Sequence, residues 1–110
     1  MRYRVEIAAN AGTELENLYL WVVEQAPHRG AAWFNGLERA ILTLDERPDR
    51  CPVAPESLDP GRPVRVLLYG RRPNVYRIFF AVDHAERAVH VLHVRHGARK
   101  GPSTDELIGR

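Results

Sequence analysis

The chain has 110 residues, 45% hydrophobic and 27% charged, which suits one soluble core and is too short for two. A single cysteine, Cys51, excludes an internal disulfide and argues against a thiolate metal site. No apolar run approaches the length of a membrane span, and the amino terminus lacks a signal-peptide pattern; the expectation is a reduced, cytoplasmic protein without a cofactor.

The formal net charge of +2 conceals a polarity. Residues 1–59 carry six Arg/Lys against ten acids, whereas residues 60–101 carry nine against two. A basic second half suits phosphate or an acidic protein partner.

Arg2 to Ala8 alternates, with Tyr3, Val5 and Ile7 on one side and Arg2, Arg4 and Glu6 on the other, which predicts a half-buried strand. Thr13 followed by Glu16 has capping-box spacing. Leu15, Leu18, Tyr19, Val22 and Val23 then share one helical face, and Pro27 closes that helix. A second helix places Trp33, Leu37, Ala40, Ile41 and Leu44 on one face and ends at Pro48. Two helices joined so closely predict an antiparallel hairpin. Trp33 belongs to the core, whereas Trp21 falls off the apolar stripe and suggests an interface.

Residues 48–63 hold five prolines and read as a long loop, a common seat of function. Strands follow at Val64–Tyr69, Val75–Val82 and Ala88–Val94, joined by short turns, as in an antiparallel meander. A polar tail begins at Gly97, with a short helical piece at residues 104–108. The order is βααβββ, an α+β fold in one domain, 1–110. Its hairpin packs on one sheet face and leaves the other for function.

Within the second strand Tyr76, Ile78, Phe80 and Val82 form the core face. Arg77 then points away with Phe79 and Ala81, and Arg65 on the neighbouring strand is expected to share that face. Mid-strand arginines offer forked, permanently charged donors to phosphate. His96 lies at the end of the last strand, and an imidazole there is a residue type suited to acid–base work. Arg71, Arg72, Arg95, Arg99 and Lys100 are the candidate nucleic-acid contacts. His90 and His93 fall on opposite faces by simple alternation, and no metal site is expected.

Three motifs carry a resemblance: residues 50–57 (Arg-Cys-Pro-Val-Ala-Pro-Glu-Ser), Arg65–Gly70 followed by Val75–Phe80, and Val94-Arg95-His96-Gly97-Ala98-Arg99. With the βααβββ order they resemble the RelE/ParE toxins of type II toxin–antitoxin modules, the plasmid-stabilisation family. The resemblance implies a growth-inhibiting toxin that pairs with a cognate antitoxin as a hetero-oligomer. Its RelE branch implies a ribosome-dependent endoribonuclease that cuts mRNA. There Arg77 and Arg65 would hold the phosphate, with His96 and Glu56 sharing proton transfer. Its ParE branch implies a non-enzymatic inhibitor of DNA gyrase. A third implication is a domain that binds antitoxin but has lost toxicity. The lysine-rich second strand of RelE proper is missing: Lys100 is the one lysine in the chain.

Overall fold

In the computed structural model, which describes residues 2–97, the element order is β1 (Arg4–Ile7), α1 (Ala9–Gln25), α2 (Pro27–Leu42), β2 (Val64–Tyr69), β3 (Tyr76–Asp83) and β4 (Ala88–His96). Short 3-10 turns lie at Thr43–Asp45 and Pro48–Arg50. The four strands form one sheet in the order β1-β4-β3-β2. The meander β2-β3-β4 is antiparallel, whereas β1 joins its far side parallel to β4. No helix among the described residues is long and apolar enough to cross a membrane.

α1 begins earlier than the Thr13–Glu16 spacing predicts. Ala8 is its N-cap and makes no side-chain cap bond. Thr13 sits inside the helix and its Oγ1 donates to the Ala9 carbonyl at 3.2 Å. The helix therefore starts directly from β1, and the fully buried Ala11 anchors its first turn in the core. Pro27 is the first-turn residue of α2 as well as the stop for α1; its missing N–H falls where a helix has no partner for one. Gly30 lets the hairpin close, because a β-carbon there would overlap the Val22 carbonyl.

The hairpin covers one sheet face. Phe34, Leu37 and Ile41 of α2 meet Ile78, Phe80, Val89 and Val91, with Leu67, Tyr69 and Tyr76 packed at the margin. The other sheet face is not left open as the sequence suggested. Residues 52–54 fold back along β2: the Ala54 N–H donates to the Val64 carbonyl at 2.8 Å and the Val66 N–H to the Pro52 carbonyl at 3.0 Å. Ala54 then closes over Val64, Val66 and Phe79, with Leu92 beside them, as a second apolar cluster. Burying a Phe and two Val side chains at about 1.5–3 kcal/mol each is ample reason for the proline-rich segment to lie on the sheet.

β4 carries an irregularity that resets its faces. Phe80 pairs with Val91 and Phe79 with His93, leaving Leu92 as an extra residue. Such a bulge shifts the alternation by one. His90 opposite Ala81 and His93 opposite Phe79 consequently share a face, contrary to the simple alternation read from sequence.

Candidate functional site

The sequence-derived residues separate into three places. Arg77 and Glu56 meet on the sheet face away from the helices, with Arg77 Nη1 at 2.8 Å from Glu56 Oε2. The proline-rich loop brings Glu56 to the strand, and Arg77 also lies over the Phe79 ring, its Cζ 5.1 Å from the centroid. Their side chains are 20% and 23% exposed. Glu56 Oε1 is buried without a hydrogen-bond partner among the described residues. This half-sheltered ion pair sets a carboxylate directly against the guanidinium that the sequence offered as a phosphate ligand.

Arg65 lies on the opposite sheet face. It pairs in register with Phe80, a core residue beneath the helices, while its neighbours Val64 and Val66 belong to the other cluster. Its Nη1 donates to the Cys51 carbonyl at 2.6 Å and to the Asp49 carbonyl at 3.3 Å. Its Nε is 3.5 Å from Asp49 Oδ1, and Asp49 also holds His84 Nε2 at 2.9 Å. The expectation that Arg65 shares a face with Arg77 is therefore overturned. Both faces of β2 are apolar, so alternation gave no guide to which one Arg65 occupies.

His96 is also on the helix side. It pairs with Tyr76 across β3 and β4, and the two rings stand edge to face with centroids 5.1 Å apart. Burial pushes the Tyr76 phenol above its ordinary range. His96, Tyr76 and Trp21 line a hollow of about 460 Å3 at the end of the sheet. Trp21 is 55% exposed, as its position off the stripe suggested.

Among the candidate nucleic-acid contacts, Arg71 and Arg72 are exposed in the turn between β2 and β3. Arg95 is buried, at 9% exposure. Its Nε is 2.7 Å from Glu14 Oε2 on α1. Glu14 Oε1 also accepts the Val94 N–H at 3.0 Å and lies 3.2 Å from His93 Nδ1. β1 pairs with β4 only as far as Val91, and beyond it the Glu14 carboxylate serves the strand edge in place of a neighbour. Sequence reading missed Glu14; its place on the solvent side of the helical pattern gave no sign of a partner 80 residues away. Arg99, Lys100 and the expected helical piece at 104–108 lie outside the described residues.

No described group of three or more His, Cys, Asp or Glu is placed to hold a metal ion. The chemistry available is thus one neutralised arginine–glutamate pair on one face, a structural arginine and a stacked histidine on the other, and a basic turn between strands.

A family model for the ParE toxin of type II toxin–antitoxin systems, parDE, matches residues 5–101. The chain belongs to the ParE toxin family. It is accordingly a toxin of a type II toxin–antitoxin system. Among curated proteins none matches it. Solved structures share its fold. The chromosomal ParDE system of P. aeruginosa superposes with a TM-score of 0.66 at 18% identity, covering 86% of this chain and 96% of that one. A free-state mutant of the E. coli toxin RelE gives 0.58 at 18% identity, covering 87% and 84%. The RelBE2 toxin–antitoxin complex of Mycobacterium tuberculosis gives 0.52 at 24% identity, covering 87% and 99%. At these identities the likeness is one of fold, and both branches of the superfamily share it.

Proposed function

We propose that this ParE-family toxin inhibits growth by binding its target, DNA gyrase, and not by cutting RNA. One observation carries the reading: the four residues suited to phosphodiester cleavage are divided between two sheet faces. Arg77 and Glu56 lie on one, Arg65 and His96 on the other. Cleavage needs a proton acceptor, a proton donor and a cation within hydrogen-bond reach of one phosphate. Side chains separated by the thickness of a sheet do not meet that condition. Gyrase as the target follows from the ParE branch of the superfamily.

An antitoxin held to this fold would neutralise it by covering the gyrase-binding surface. The test is induced expression in a bacterial host with message integrity and DNA breakage followed together. Double-strand breaks and an SOS response with intact messages are expected. Rapid loss of translation with cut messages and intact DNA would overturn the proposal in favour of a RelE-like ribonuclease. Growth without any defect would point to a domain that has kept antitoxin binding and lost toxicity.

A further inference from the structure

Four half-buried rings stand in a row at the margin of the core, where the sheet meets the hairpin. Their order is His96, Tyr76, Trp33 and Tyr69. Successive centroids are 5.1, 5.2 and 5.3 Å apart, and each contact is edge to face. The Tyr69 hydroxyl fixes the last ring by donating to the Trp33 carbonyl at 3.0 Å.

Three hollows follow this row. The first, of about 460 Å3, has Trp21, Tyr76 and His96 in its wall. The second, of about 410 Å3, shares Trp21 and Tyr76 with the first and adds Trp33. The third, of about 570 Å3, shares Trp33 and Asn74 with the second and adds Tyr69. Their shared walls make them one groove. Arg29 lines its middle, and Arg71 and Arg72 line its far end. Among the described residues none of these three arginines is in an ion pair. Glu14 is the one acid in the described walls. Its oxygens already accept from Arg95 Nε at 2.7 Å and from the Val94 N–H at 3.0 Å.

Rings along a groove and guanidinium groups without carboxylates fit an occupant with planar groups strung on an anionic backbone. Single-stranded nucleic acid has both: bases stack on aromatic side chains and phosphates follow the cations. A duplex keeps its bases stacked inside, away from the row. A mononucleotide fills one hollow and leaves the others unused. An acidic peptide satisfies the arginines but offers the rings nothing planar.

We propose that this groove binds single-stranded DNA, with bases against Trp21 and the ring row and phosphates on Arg29, Arg71 and Arg72. The choice of DNA over RNA rests on the gyrase reading, which expects broken DNA; the groove stands without it.

Both tryptophans of the chain line the groove, so their fluorescence reports its occupancy. The probe is an oligothymidylate of about ten nucleotides, added to the full-length toxin. Saturable quenching is expected. Its affinity should fall with salt at a logarithmic slope of about −2, for three phosphates at about −0.7 each. Replacing both exposed arginines, Arg71→Ala with Arg72→Ala, should bring the slope to about −0.7. Trp21→Ala should weaken binding by at least about fivefold, with Trp33 left as reporter. Equal binding of a duplex of the same length would overturn the stacking argument. Quenching by polyglutamate and not by oligothymidylate would overturn the proposal in favour of an acidic protein partner. An oligouridylate bound at least about tenfold more tightly would overturn the choice of DNA. If no oligonucleotide quenches while the toxin still breaks DNA through gyrase, the groove proposal fails and the gyrase reading stands. If oligothymidylate binds as expected and gyrase is untouched, the gyrase reading fails and the groove stands.

Discussion

Replacing Glu14 with alanine probes the contact that joins α1 to the end of β4. The substitution removes the acceptor of the Arg95 Nε bond at 2.7 Å and of the Val94 N–H bond at 3.0 Å. It also takes a carboxylate away from Arg95 at 9% and His93 at 3% exposure. Removing one member of a buried ion pair costs about 3–5 kcal/mol, because the other charge stays desolvated. The Glu14 side chain is 22% exposed, so water reaches the site and the low end, about 3 kcal/mol, applies. At about 4 °C per kcal/mol for a domain of this size, the melting temperature should fall by about 12 °C. Glu14→Gln keeps an acceptor for Val94 and loses the charge, so its loss should be about half as large. The assay is thermal unfolding of Glu14→Ala, Arg95→Ala and the double variant. The two single losses should not add, since each breaks the same pair. A fall below about 3 °C for Glu14→Ala would refute the argument and return Arg95 to the list of available cations.

Three further outcomes follow from separate parts of the structure. Gly30→Ala should destabilise the protein by at least about 1–3 kcal/mol, the usual range for overpacking, because its methyl group collides with the Val22 carbonyl; denaturant melts with an unchanged midpoint would show that α1 and α2 do not cross so closely. Arg65→Ala should cost about 1.5–3 kcal/mol through its lost bonds to the Asp49 and Cys51 carbonyls, yet leave toxicity per folded molecule intact. Lost toxicity at unchanged stability would restore a phosphate role. Burial pushes the Cys51 thiol above its ordinary 9.0, against a smaller pull downward from Arg50 and Arg65. The folded state therefore holds its proton after the unfolded thiol has begun to ionise, and this contribution makes stability fall as pH rises through 9. Folded protein at pH 8 should resist iodoacetamide and become alkylated once denaturant unfolds it, read as a mass shift; equal labelling rates would contradict the burial.

The fold was largely legible because its signals are local. Apolar spacing located both helices, and β2 appears with the bounds expected from Val64 to Tyr69. The parallel docking of β1 on β4 was not legible, since strand order depends on contacts more than 80 residues apart. The site was less readable than the fold. The face that carries Arg77 follows from alternation in β3, whereas the arrival of Glu56 beside it depends on the course of the proline-rich loop. Arg65 sits in a strand apolar on both faces, where alternation is silent. The histidines of β4 were misplaced by one extra residue, Leu92, which no local pattern announces. The proline-rich segment looked like an exposed functional loop, yet Ala54 is 2% exposed against Phe79. Its role in covering the sheet depended on apolar residues spread thinly among prolines.

The most direct measurement sets the two chemistries against each other in purified systems. The toxin is added, at one concentration, to gyrase with supercoiled plasmid and ATP, and to a translating extract carrying a defined message. Blocked supercoiling or accumulation of linear plasmid beside an intact message is the expected result. Cut message beside undisturbed gyrase, with cleavage abolished by Arg65→Ala or His96→Ala, would contradict the gyrase account, in which neither side chain handles a phosphate.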